Sequence, residues 1–218
     1  GARAKTSNFP GTTTAARQGR AVVGGDLHVD LIDLPGLYRL DLDVPEARIV
    51  RDVLAGRDPS SPRPTLVLVV VDACNLTRNL VLTGELIASG VPVVVALNMV
   101  DLAQQRGLTL DAARMSVELG CPVVPIVARR GLGLDELRQA LGRALGPERG
   151  VPAAAATPVP DPAGDLMSWA ETIVEASVGG RGAVGSSTDT FTERFDKAFT
   201  HPVVGLLVFV GVMVGLFW

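Results

Sequence analysis

Two tetrapeptides, Asp33-Leu34-Pro35-Gly36 and Asn98-Met99-Val100-Asp101, constrain this chain more than any other feature. Each closes an apolar run that reads as a buried strand, Val29 to Ile32 before the first and Val91 to Leu97 before the second. Both therefore stand at the carboxyl edge of a parallel sheet, where α/β folds bind ligands. Asp33 is suited to Mg²⁺, held through water, because that ion dehydrates reluctantly and prefers hard oxygens. Gly36 lets a backbone N–H approach a terminal phosphate with no side chain in the way. Alone, D-x-P-G is also a good turn sequence in any fold. The second tetrapeptide decides. A carboxylate at Asp101 accepts from two donors on the Watson–Crick edge of guanine; adenine lacks that pair, and an unpaired buried carboxylate is costly. The Asn98 amide can bond the base and pin neighbouring loops, and Met99 can cover one face of the base. Helix capping is the competing use of Asn98 or Asp101. Both motifs, in this order, favour a guanine-nucleotide site. No G-x-x-x-x-G-K-[ST] phosphate loop occurs in the 218 residues.

The pattern around the motifs alternates strand and helix. Residues 19–24 and 27–33 are strand candidates joined at Gly24-Gly25-Asp26, a plausible hairpin. Val44 to Ala55 is a helix candidate ended by Gly56, and Thr65 to Val71 is a continuous apolar run, as for a strand buried on both faces. Leu76 to Ser89 reads as a helix, Leu110 to Leu119 as another, Val123 to Val127 as a strand and Leu134 to Leu145 as a helix with leucines along one side. The alternation implies a doubly wound, mainly parallel α/β sheet. After the strand at Val127, a backbone N–H near Ala128 is placed to meet the guanine carbonyl. Pro147 begins an Ala/Pro-rich stretch that reads as a linker. Asp165 to Val178 fits one short helix, and Phe191, Phe195 and Phe199 line one face of an amphipathic segment.

Composition excludes some classes. Lys plus Arg is 20 against 23 Asp plus Glu, a net charge of −3, which is no footprint for nucleic acid. Cys74 and Cys121 lack metal-ligand spacing and read as small buried residues, while His28 and His201 stand far apart. The first residues carry no signal-peptide pattern, and a chain that starts with Gly rather than Met reads as a fragment or a trimmed product. Val203 to Trp218 has no charge. At about 1.5 Å per residue it reaches roughly 24 Å, short of the roughly 30 Å of a hydrocarbon core, so it reads as the start of a transmembrane helix. Arg194 and Lys197 favour a cytoplasmic side before it.

Several stretches together resemble the ferrous iron transport protein B family, bacterial membrane proteins with an N-terminal GTP-binding domain. They are Asn8-Phe9-Pro10-Gly11-Thr12-Thr13, Asp33 to Tyr38, Val71 to Leu80, Ala96 to Asp101, Gly120 to Val123 and Thr200 to Gly205. The methionine in N-M-x-D, where other GTPases carry lysine, is part of the match. The resemblance implies a P-loop-GTPase-like sheet, here without its first strand and phosphate loop, then a short helical spacer and a membrane helix. It divides the chain into a GTP-binding domain over 1–146, a linker and spacer over 147–189, and an amphipathic and membrane-entering segment over 190–218. It makes Gly11 and Thr13 first-switch residues, with Thr13 and Asp33 on Mg²⁺. Asp33 and Gly36 become the second-switch pair, and Asn98, Met99, Asp101 and Ala128 the guanine-side residues.

The resemblance further implies GTP or GDP with Mg²⁺, potassium as an activator, the lipid bilayer, Fe²⁺ as the transported ion and a small cytosolic iron-transport protein as partners. It places the protein in the bacterial inner membrane with residues 1 to about 200 cytoplasmic. Leu37 occupies the place where some GTPases orient the attacking water with glutamine, so hydrolysis is expected to be slow. In the family a strand lies between those ending at Asp33 and Asp72, so a gap in the sheet is expected here, as is poor GTP binding by this chain. A soluble GTPase of the ribosome-assembly or tRNA-modification kind, and a non-catalytic remnant, are the alternatives.

Overall fold

The computed structural model describes residues 17–146, 155–160 and 165–179, with 213, 214 and 217 beyond them. Gly11, Thr13 and the phenylalanine-bearing segment lie outside the described residues, as does the apolar tail apart from those three positions. The chain divides into one unit over Gly1–Arg181 and a second over Gly182–Trp218. Of the second unit, Met213, Val214 and Phe217 are helical. Among the described residues no helix is long and apolar enough to cross a membrane.

In the first unit β1 (Arg17–Val23) and β2 (Leu27–Asp33) form the antiparallel hairpin expected at Gly24-Gly25. Both glycines have positive φ, 58° and 98°, which most other residues resist. After α1 (Pro45–Leu54) come β3 (Val67–Asp72), α2 (Leu76–Ala88) and β4 (Val93–Asn98). Then follow α3 (Val100–Gln105), β5 (Thr109–Leu110), α4 (Ala112–Leu119) and β6 (Val123–Pro125). A 3₁₀ turn (Ala128–Arg130), α5 (Leu134–Leu145), α6 (Leu166–Ser177) and β7 (Val178–Gly179) complete the series.

β3, β4 and β6 pair in parallel in that order, with Asp72 level with Asn98 and Leu97 level with Pro125. Strand parity sorts the side chains onto two faces. Val69, Val71, Val95 and Leu97 enter the larger core with residues of α1, α2, α4 and α6. Val94 and Ala96 enter a smaller one with Leu137 of α5 and Ile126. Helices on both faces of a parallel sheet make the three-layer α/β architecture that the strand–helix alternation implies.

β2 and β3 do not pair, so the described residues form a hairpin, a parallel sheet and a short antiparallel pair of β5 with β7, with the expected gap between β2 and β3. This corrects two readings. The run Val29 to Ile32, read as a buried strand of the parallel sheet, pairs among the described residues only with antiparallel β1 and is exposed or half-exposed along its length. Val70 of β3, expected to be buried, is 58% exposed. Among the described residues β3 is an edge strand, and none of them beyond it covers that side chain. The hairpin is attached elsewhere: Gly24 N–H donates to the Arg138 carbonyl of α5 at 3.0 Å, and Gly24 and Gly142 meet backbone to backbone.

The stretch expected to be a linker is partly fastened. Ala156 N–H donates to the Val117 carbonyl at 3.0 Å, and Thr157 Oγ1 donates to Glu118 Oε2 at 2.6 Å. α6, expected in a separate spacer, is capped by Asp165 and lies in the main core through Trp169, Ala170, Ile173 and Val174. A glycine makes this possible: a Cβ on Gly84 of α2 would lie 2.7 Å from Trp169 Cζ3.

Candidate nucleotide site

The carboxyl ends of β3, β4 and β6 lie side by side, and their loops are tied through Asn98. Its backbone carbonyl accepts from Ala73 N–H at 2.9 Å, in the loop after β3. Its side-chain Oδ1 accepts from Ala128 N–H at 3.0 Å, in the loop after β6. One residue thus holds three loops in register, the pinning expected of it. The Ala128 hydrogen, expected to face a guanine carbonyl, is donated to Asn98; Ala128 serves as the far anchor of that asparagine.

Met99 has φ 63°, and among the described residues it is the only non-glycine with positive φ. The left-handed region costs an ordinary residue roughly 1–2 kcal/mol. Such conformations cluster at ligand-binding turns, where surrounding structure enforces them. Here the ties from Asn98 on one side and α3 on the other do so. Met99 is 43% exposed, an apolar side chain left at the strand tip. Asp101 lies in the first turn of α3, with Oδ1 accepting from Leu102 N–H at 3.0 Å. Asp72 braces its own loop, accepting from Cys74 N–H at 2.8 Å and from Asn75 Nδ2 at 2.7 Å.

The loop after β2 reaches the same end of the sheet although β2 pairs with no strand of it. Leu34 and Leu37 pack against the larger core. Arg78, in the first turn of the helix that follows β3, stacks on the Tyr38 ring with Cζ 3.7 Å from its centroid. Asp33 and Gly36 are left exposed, and a Cβ added to Gly36 would meet nothing within 4 Å. A carboxylate beside open backbone fits a hydrated Mg²⁺ and phosphate oxygens. Leu37, turned into the core, is not available to orient a water. Among the described residues no group of three or more His, Cys, Asp or Glu is placed to hold a metal on its own. A metal here would depend on oxygens from the nucleotide as well.

Burial, and then Asp72, raise the Cys74 thiol above its ordinary range, and burial pushes Cys121 up to about 12. Neither thiol is prepared for nucleophilic chemistry.

The family model for ferrous iron transport protein B matches residues 1–141. The chain belongs to the ferrous iron transport protein B family. An Fe(2+) transport protein A/Fe(2+) transporter FeoB fusion protein of Porphyromonas gingivalis is 45% identical over 137 residues, covering 63% of this chain and 16% of that protein. The Fe(2+) transporter FeoB of Salmonella typhimurium is 39% identical over 143 residues, covering 66% and 18%. The chain thus spans under a fifth of the length of these relatives. Among solved structures, the cytosolic domain of Legionella pneumophila FeoB aligns with TM-score 0.55 and 35% identity, covering 64% of this chain and 53% of that one. The cytosolic domain of the Thermotoga maritima FeoB iron transporter in its GMPPNP form aligns with TM-score 0.58 and 30% identity, covering 66% and 55%. The fold is that of the P-loop-GTPase-like domain of this family.

The sequence missed Met99's left-handed backbone, which no single residue type announces. It also missed the bracing by Asp72, for which D-x-C-N was a readable turn signal.

Proposed function

We propose that this chain is the guanine-nucleotide-binding region of a ferrous iron transporter, with Asn98, Met99 and Asp101 on the base side and Asp33 and Gly36 on the phosphate side. The carrying observation is that Asn98 ties three strand-tip loops together next to a strained Met99, while the loop after Asp33 is fastened to the same end of the sheet by Arg78. Asp101 supplies the acceptor for guanine. Asp33, with Thr13, holds Mg²⁺ alongside the nucleotide. The bound Mg²⁺ would neutralise phosphate charge; the chain's own groups position it. The membrane location, Fe²⁺ as cargo, potassium activation and a small cytosolic partner belong to the same reading. Family membership and the solved GMPPNP and GDP forms of its relatives support it over a soluble GTPase.

GTP regulates uptake in this reading and is hydrolysed slowly, since Leu37 faces the core rather than an attacking water. A strand lying between β2 and β3 would pair both open edges and lead into a phosphate loop. Without such a loop the chain's grip on phosphates is weak, so the base site is the part to test. Saturation-transfer NMR with guanosine and adenosine nucleotides reports base contacts without requiring tight binding. Guanosine compounds are expected to give signals that Asp101→Ala abolishes. Equal signals from both bases would refute the assignment. Ferrous iron uptake by cells whose chromosomal copy carries Asp101→Ala is expected to fall.

A further inference from the structure

Side chains of α1 and α2 hold the stretch that follows Gly36, two of them on α2. Arg78 stacks on Tyr38. Seven residues on, Glu85 Oε2 accepts from Leu40 N–H at 2.5 Å, while Oε1 lies 3.8 Å from Arg39 Nε. From α1, Arg51 donates to the Leu40 carbonyl and, at 3.1 Å, to that of Leu42. Glu85 is not a surface residue that happens to be near: its side chain is 11% exposed. Burial raises its carboxyl above the ordinary range, and Asp41 adds to this; Leu40 N–H and Arg39 act the other way.

The residue before it has a different neighbour. Gly84 touches the Trp169 indole of α6, and a Cβ there would also lie 3.2 Å from Leu166 Cδ2. Trp169 is in turn held by Nε1–H donating to the Thr157 carbonyl at 3.1 Å. Consecutive residues of one helix therefore meet the stretch after Gly36 and α6. Leu40, Glu85 and Leu166 also line one cavity of about 600 Å³, which leaves that stretch room to shift.

We propose that Glu85 is a positioning residue that fastens the stretch after Gly36 to α2 and, through the Gly84–Trp169 contact, makes the packing of α6 depend on where that stretch lies. The regulatory meaning rests on the phosphate-side reading of Asp33 and Gly36, since loops that meet a terminal phosphate order and release with it. A helix packed on both sides moves as a unit, so displacement at one residue is felt at the next.

Hydrogen exchange followed by mass spectrometry tests this on the full chain without nucleotide. Glu85→Ala removes the acceptor, and exchange over residues 37–44 is expected to quicken about tenfold or more. Exchange over 166–177 is expected to quicken with it. Glu85→Gln keeps an oxygen acceptor and should restore protection in both. Asn79→Ala, which removes a bond within α2 to the Asn75 carbonyl, should leave both at wild-type rates. The proposal is overturned if Glu85→Ala loosens 37–44 alone, if neither stretch responds, or if Asn79→Ala disturbs α6 as much. Adding GTP, at a concentration where saturation-transfer NMR shows its base bound, separates this from the functional reading. A wild-type response over 37–44 and 166–177 supports both. An intact Glu85 effect with no response to GTP supports the fastening and refutes the phosphate-side role of Asp33 and Gly36.

Discussion

Replacing Gly84 by alanine sets two opposed effects against each other. In a helix interior alanine is favoured over glycine by about 1 kcal/mol. The new methyl would sit 2.7 Å from Trp169 Cζ3, 3.0 Å from Cη2 and 3.2 Å from Leu166 Cδ2. Carbon atoms rest at roughly 3.5–4.0 Å, so α6 must withdraw by about 1 Å or the indole must swing. Overpacking of this kind costs about 1–3 kcal/mol. A swung indole also gives up its bond to the Thr157 carbonyl, worth about 1 kcal/mol. The net expectation is destabilisation on the order of 1–2 kcal/mol, the clash outweighing propensity. Urea unfolding followed by far-UV circular dichroism measures it for Gly84→Ala, Trp169→Phe and the double variant. Phenylalanine lacks the two indole atoms that clash, so the double variant should be more stable than the sum of the single effects by about 1 kcal/mol. A Gly84→Ala protein about 1 kcal/mol more stable than the parent, with additive singles, would refute the close contact between α2 and α6.

Asn98→Ala removes an acceptor from a backbone N–H and is expected to cost about 0.5–1.5 kcal/mol; hydrogen exchange should quicken over 128–131, and unchanged protection there would contradict the tie. Asp101→Asn offers guanine a donor where it needs an acceptor, so NMR contacts should pass from guanosine to xanthosine nucleotides, whose carbonyl replaces the amino group. Cys121, pushed up to about 12, is only about one part in 10⁴ thiolate at pH 8; iodoacetamide should leave it unmodified in the folded protein and label it in urea. The raised Glu85 carboxyl means the folded protein holds that proton more tightly than the unfolded chain. Its contribution to stability is present at low pH and lost as pH rises through the folded-state value. Urea midpoints of wild type relative to Glu85→Gln should therefore improve as pH falls from 7 towards 4, and the opposite slope would contradict the burial of that carboxyl.

The elements that could be read in advance are those whose signals are local. Thr65 to Val71, Val91 to Leu97 and the leucine row of Leu134 to Leu145 carry their period and apolar content within a few residues, and all became strands or helices close to the expected bounds. The hairpin was legible because Gly24-Gly25 is unusual chemistry. What escaped depends on partners distant in sequence. β5 exists because Thr109 meets Gly179 and Leu110 meets Val178. Thr157 is ordered by Glu118, and α6 is admitted to the core by the missing side chain of Gly84. Val70 looked buried because its composition does not reveal whether a strand lies beside it. Within the site, Asn98 and Asp101 were legible as types of donor and acceptor. The strained backbone between them and the prior engagement of Ala128 N–H were not, because both arise from how three loops meet.

The open seam between β2 and β3 has a consequence for handling the protein. Among the described residues, one lip carries Leu27 and Leu31 and the other Val70, all well exposed. Unpaired strand margins with greasy side chains are templates for pairing with other chains. Molecules of this polypeptide will tend to zip into one another as concentration rises, and a peptide able to fill the seam should keep them apart as well as any detergent.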